Sequence, residues 1–295
     1  MRGDIERALE TYRQRSPDSL EKALALLQDT VFAFSMKACG HPEDAEDTMQ
    51  DVLIKAVRHL DGFDNSKALT VWLYKVARNS CLAHRRRPQS APFLDLSLDA
   101  LMPDVQELAL LTLPKSTNPE QQAVSSETRE LLEQAVKELP PGYRSVLVLH
   151  DMEGLNHSEV AQITGLCEGT VRVRLHRARL HVRRKLAPHL SGGSVPAVTS
   201  PPVGVHRKTK QCRELFARLS DYIDGVLEND FCRQMHKHLS ECGPCLAFLS
   251  SLEEVVNICR AYEPSRQPEQ TERLRLQLSR EYQAATDALA RQGCP

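Results

Sequence analysis

Four side chains late in the chain could together hold a metal ion. His238-x3-Cys242-x2-Cys245 puts a histidine one helical turn before a cysteine and closes with a tight CxxC. Cys212, at the head of the apolar-periodic segment CRELFARLSDYIDGVL, can supply the fourth donor. Cys232 and His236 also lie one turn apart and are the competing donors. Imidazole and thiolate in this number and spacing suit one Zn2+, with a set of buried thiols or a redox disulfide of the same cysteines as the alternative. Four protein donors fill a tetrahedral shell, so the site reads as structural or redox-linked, since catalysis needs an open position. The sequence offers no paired nucleophile and base, so an enzyme is not expected. The chain has nine cysteines. In the reducing cytoplasm, where this chain is expected, they argue for metal or redox chemistry more than for a disulfide framework.

A second chemistry is carried by GLNHSEVAQITGLCEGTVRVRLHRARLHVRRK, residues 154–185. Asn156 followed by Glu159 is a capping-box signature. Val160, Ala161 and Ile163 give the short helix behind it an apolar side, and Gly165 can take the positive φ of a sharp turn. In the next helix Val171, Leu175, Ala178 and Val182 recur at spacings of three and four. Between them stand Arg172, Arg174, Arg177, Arg179, Arg183, Arg184 and Lys185, with no acid from Gly169 to Lys185. A short helix, a glycine turn and a basic helix can lie in a DNA major groove. A solvated surface helix is the alternative, but such faces usually mix signs.

These groups must be positioned by helices. The chain of 295 residues has room for about two domains. Aromatics are 5% of it and β-branched runs are scarce, so an all-α fold is expected. The net charge is −1, which by itself does not suggest a nucleic-acid binder. Its distribution does: acids gather at residues 43–51 and bases at 85–87 and 172–185, as if for two different partners. No apolar run approaches the roughly 20 residues of a membrane span, and MRGDIERALE lacks a signal-peptide core, so no membrane contact is expected.

Residues 1–90 read as a helical domain. His41-Pro42 opens a helix with Ala45, Met49, Val52, Leu53, Ala56, Val57 and Leu60 on one face. Residues 61–70 read as a loop, followed by VWLYKVARNSCLAHRRR, where Trp72 and Tyr74 are either core residues or stacking platforms for unpaired bases. Prolines mark 91–126 as a linker, although LDLSLDAL and ELALLTL are apolar enough to dock. Residues 127–190 contain the helix-turn-helix. SGGSVPAVTSPPVGVHR, 191–207, reads as a flexible linker, 208–262 as a small zinc-stapled module, and 263–295 as a weakly amphipathic tail with Cys294 exposed.

Taken together, EDAEDTMQDVLIKAVRHLDGF, SKALTVWLYKVARNSCLAHRRR and ELPPGYRSVLVLHDMEGLNHSEVAQITGLCEGTVRVRLHRAR resemble a bacterial RNA polymerase sigma factor of the extracytoplasmic-function class. CRELFARLSDYIDGVL…HKHLSECGPC resembles the zinc-binding anti-sigma fold, which usually sits on a separate protein. The resemblance implies an all-α protein with a region-two bundle, a region-four helix-turn-helix and a small helical zinc-binding domain. It implies core RNA polymerase as a partner of Asp44, Glu46, Asp47, Gln50 and Asp51. It implies promoter DNA as a partner of the minus-ten group Asn65, Ser66, Arg78, Asn79, Arg85, Arg86 and Arg87, with Trp72 mostly core. Arg172 and Arg174 would then read minus-thirty-five base edges, with Thr170 also on the DNA and Arg177, Arg179, Arg183 and Lys185 on phosphates. Cys167 stands where the family usually has a better helix cap. The function implied is promoter-specific transcription initiation, regulated in cis by an intramolecular contact of the zinc domain. A stand-alone helix-turn-helix regulator is the competing reading.

Overall fold

The computed structural model describes residues 2–16, 18–84, 96–103, 107, 126–190 and 210–264. Among them there are helices, turns and irregular segments and no strand, as an all-α fold requires. Arg85, Arg86, Arg87, the 191–207 segment and Cys294 lie outside the described residues. The described chain falls into two compact units, one within Met1–Ala91 and one taking in Pro92–Ala161 and Leu166–Tyr262.

The first unit is a helical bundle of α1 (Arg2–Arg13), α2 (Ser19–Cys39), α3 (Pro42–His59) and α4 (Ser66–His84), with α2 packed against the other three. Gly40 ends α2 in the left-handed region at φ 81°, a conformation that costs glycine little. Pro42 then opens α3, where its missing N–H is no loss. The predicted apolar face of α3 is buried from Ala45 through Leu60. Two expectations change here. The 61–70 loop is shorter, because Asn65 Oδ1 accepts the Ala68 N–H at 2.8 Å and caps α4. Cys39 and Cys81 form a disulfide that joins the end of α2 to α4. Distant partners of this kind cannot be read from cysteine count alone.

The second unit is built along one long helix. It contains α5 (Leu98–Leu101), α6 (Ser126–Glu138) and α7 (Pro141–Leu147), which runs on into a π-turn, Val148–Met152. Then come α8 (His157–Thr164), α9 (Glu168–Leu190), α10 (Lys210–Phe216), α11 (Leu219–Ile223), α12 (Asn229–Glu241) and α13 (Gly243–Ala261). Helix α9 packs on α5, α6, α7, α11 and α13. Val171, Leu175, Ala178 and Val182 are fully buried, as their spacing predicts.

The segment CRELFARLSDYIDGVL is not one helix. It breaks between Phe216 and Leu219, with both side chains buried in one apolar cluster. Part of the 91–126 linker is also structured. Leu101 belongs to that same cluster, beside Leu180 of α9 and Leu215, Phe216, Leu219, Met235, Leu239 and Phe248 of the C-terminal module. Leu96, Leu98 and Met102 pack against it. A fully buried Leu, Met or Phe contributes about 1.5–3 kcal/mol, so this shared core holds linker, α9 and module together. Among the described residues no single helix is long and apolar enough to cross a membrane.

Candidate metal centre and DNA-contacting helix

The metal-type donors converge as their spacing predicts. Cys242 has extended backbone, φ −117° and ψ 90°, between α12 and α13, and the two helices meet at 112°. Its N–H bonds back to His238 O at 2.8 Å, while Pro244 opens the next helix and leaves Cys245 in the first turn. Cys212 arrives from α10, with its Sγ 3.7 Å from His238 Nε2. One donor atom from each of Cys212, His238, Cys242 and Cys245 lies within 4.8 Å of the others. Burial, followed by the neighbouring thiols of Cys242 and Cys212, pushes the Cys245 thiol well above its ordinary value. Thiolates crowded this closely need a cation, and a bound dication reverses that penalty. The four residues therefore fit Zn2+. The competing donor His236 instead meets Tyr222 Oη through Nδ1 at 3.3 Å.

The helix-turn-helix also forms from local signals. Glu159 N–H donates to Asn156 Oδ1 at 2.9 Å, and Asn156 N–H donates to Glu159 Oε2 at 3.0 Å. That is the reciprocal capping box. Gly165 takes φ 72°. At the start of α9 the Cys167 Sγ lies 3.0 Å from Thr170 Oγ1, and contacts with the Thr170 side chain and backbone lower the thiol pKa. The exposed thiol thus partly fills the capping role that its residue type serves poorly.

The basic side chains of α9 divide along its length. Thr170, Arg172, Arg174 and Arg177 are half-buried around Val173, which is 50% exposed. Arg174 lies over the Tyr143 ring and Arg177 Nη1 donates to Tyr143 Oη at 3.4 Å. Arg179 departs from the expected phosphate contact, because it is 0% exposed. Its guanidinium is shared by Asp151, at 2.6 and 2.8 Å, and by Asp224 of the C-terminal module, at 2.8 and 3.0 Å. Burial would raise the Asp151 carboxyl, but Arg179 and then His150 hold it far below the usual carboxylate range. Asp224 is lowered against its own burial by His157 and Arg179. One turn on, Arg183 sits 3.9 Å from the centre of the Phe248 ring, donates to Ser251 Oγ at 2.6 Å and pairs with Glu107. His176 Nδ1 meets Ser220 Oγ at 2.9 Å. The module therefore grips the C-terminal half of α9, through one polar face and the apolar cluster.

Comparison with known proteins follows this architecture. Residues 24–91 match "Sigma-70 region 2", 129–182 match "Sigma-70, region 4", and 212–246 match the family described as "Putative zinc-finger". The chain is similar to ECF RNA polymerase sigma factor SigW of Bacillus subtilis, 27% identical, over 62% of this chain and 96% of that protein. It is 34% identical to the ECF RNA polymerase sigma-E factor of Escherichia coli, over 49% of this chain and 75% of that protein. The chain belongs to the ECF sigma factors. A solved structure, the sigma factor RpoE in complex with the anti-sigma factor NepR from Bartonella quintana, is also similar. It is 23% identical with a TM-score of 0.41, over 58% of this chain and 98% of that chain.

As a member of that family the sigma factor directs transcription initiation and is not an enzyme. The described region-two candidates lie in its first unit. Asp44, Glu46 and Gln50 on α3 are half-buried and Asp47 is exposed, whereas Asp51 accepts a hydrogen bond from Ser80 Oγ at 2.8 Å. Burial and then the neighbouring Asp47 and Glu43 raise the Glu46 carboxyl. Asn65 and Ser66 sit at the start of α4, with the Asn65 side chain engaged as its cap. Arg78 Nη1 donates to Asn79 Oδ1 at 3.2 Å. Trp72 is half-buried between the His59 and Phe63 rings, each 5.5 Å away, and Tyr74 is core, edge-on to Phe34.

Sequence reading missed three residues of the sigma factor's second unit that gather beside Arg179. His150, His157 and Asp224 bring donor atoms within 4.8 Å of one another. Two histidines seven positions apart and an aspartate from another module carry no common spacing. The pair His150-Asp151 just ahead of the capping box was the only visible signal.

Proposed function

We propose that this ECF sigma factor binds core RNA polymerase and promoter DNA in the cytoplasm and is held back in cis by its own zinc module. In this reading Asp44, Glu46, Asp47, Gln50 and Asp51 serve the polymerase contact. Asn65, Ser66, Arg78, Asn79 and Arg85–Arg87 serve the minus-ten element. Thr170, Arg172, Arg174 and Arg177 serve the minus-thirty-five element, base edges first and phosphates after. One Zn2+, held by Cys212, His238, Cys242 and Cys245, staples a module too small for a large core of its own.

The observation that carries the regulatory reading is the withdrawal of Arg179 and Arg183 from solvent into contacts with Asp224, Ser251 and Phe248. Cations on a recognition helix supply phosphate contacts only when exposed. A tether raises the effective concentration of a docked module toward millimolar, so modest contacts suffice for it to compete with DNA and polymerase.

Run-off transcription with added core polymerase tests both parts. The full chain supports promoter-specific transcripts, and a chain lacking 208–295 supports more of them. Promoter binding that never yields a transcript would contradict the polymerase role. Equal or lower output from the shorter chain would contradict the inhibitory one.

A further inference from the structure

We propose that His150, His157 and Asp224 form a second divalent-metal site, which bridges the helix-turn-helix segment to the C-terminal module. It is separate from the four-donor centre and draws on none of its residues. His150 comes from the π-turn Val148–Met152 and His157 from the first position of α8, while Asp224 follows α11 in the module.

The first donor is oriented by a hydrogen bond. His150 Nδ1 is 2.9 Å from Asp151 Oδ1. Asp151 Oδ2 and Oδ1 both accept from Arg179 N–H groups, at 2.8 and 2.6 Å, and the same accepting oxygen faces His150 Nδ1, which makes Nδ1 the N–H donor. The 3.4 Å approach of Arg179 Nη2 to the same Nδ1 is then donor facing donor and no bond. With Nδ1 engaged as the donor, Nε2 is the nitrogen left to ligate. A histidine whose other nitrogen donates to a carboxylate is the arrangement that orients and strengthens a metal ligand.

The second donor is under-used. His157 is 8% exposed, and its Nε2 is buried without a hydrogen-bond partner, 3.5 Å from Asp224 Oδ2. A buried nitrogen in this state carries a desolvation cost, which a cation shared with Asp224 removes. The third donor has capacity left. A carboxylate offers about four lone-pair sites, of which Arg179 takes two through its bonds to Oδ1 and Oδ2.

Charge points the same way. Asp151 and Asp224 set two negative charges against the single guanidinium of Arg179. Two imidazoles and one carboxylate suit a first-row dication of borderline softness, Zn2+ above all, with a position left for water. Widened single turns of this π type are frequent at functional sites, and here one carries both His150 and its orienting Asp151. Because the ligands come from both sides of the docking contact, bound metal would fasten the module to region four. The site stands whether docking inhibits or assists transcription.

The test is the metal content of the reduced full chain, measured by atomic emission after equilibrium dialysis against micromolar free Zn2+. The native chain is expected to hold two zinc ions. His150→Gln and His157→Gln, made separately and checked for native helical content by circular dichroism, are each expected to hold one. Cys242→Ser is expected to lose the other ion and keep this one. One zinc in the native chain overturns the proposal, and so do two zinc ions in either histidine variant.

Discussion

Arg179 carries more of this molecule than its place in a basic run suggests. It is wholly buried, with two carboxylates bound to one guanidinium. Removing one member of a buried ionic group typically costs about 3–5 kcal/mol, whereas a surface arginine costs within about 0.5 kcal/mol. Arg179→Met is therefore expected to destabilise the second unit by about 3–5 kcal/mol in urea unfolding followed by helical circular dichroism. A change within the surface range would mean that the arginine is held for DNA alone. The local residues around it were legible in the sequence. Asn156, Glu159 and Gly165 act on backbone within a few positions, so their types and offsets determine their roles. Arg179 was not legible, because both partners come from elsewhere in the chain. Cys39 and Cys81 were missed for the same reason.

At the scale of elements, α9 is the post to which the module is fastened, and in the proposed reading it is also the helix that meets DNA. Its two halves are distinguished by what packs on them, which periodicity does not reveal. The same limit applies to the linker: LDLSLDAL is recognisably apolar, but only the tertiary structure seats Leu98 and Leu101 against the module's core. The contact of His176 with Ser220 and the Phe216 ring makes this docking sensitive to pH. Burial, followed by Arg179 and Arg177, lowers the His176 pKa from 6.5 to about 4. Folded His176 thus refuses a proton that the unfolded chain accepts. Its stabilising contribution is complete above about pH 6.5 and is lost as pH falls from there toward 4. Asp151 and Asp224 are depressed carboxylates, so theirs is present above about pH 4 and fades only below it. The urea midpoint of the second unit is expected to fall between pH 6.5 and 4.5 in the native chain, and to fall less in His176→Gln. An equal fall in both would assign the titration to another group.

At the scale of the whole molecule, one chain joins a sigma factor to a zinc-finger module that we propose regulates it. In the proposed reading, docking withdraws Arg179 and Arg183 from phosphate contacts. Each phosphate contact contributes about 0.9 to the slope of log K against log salt. A chain lacking 208–295 is expected to bind minus-thirty-five duplex with a slope steeper by about one to two than the full chain. Parallel slopes would mean that the module leaves the phosphate-contacting set untouched.

The central claim is that the module restrains the sigma factor through its grip on α9. Asp224→Lys in the full chain addresses it most directly, because it places a cation against Arg179 while leaving the Asp151 pair and the four metal-type donors in place. Run-off transcription with core polymerase is the measurement. The account predicts that this variant transcribes at the level of the chain lacking 208–295, above the native full chain. Output unchanged from the native full chain, while the shorter chain rises, would contradict it.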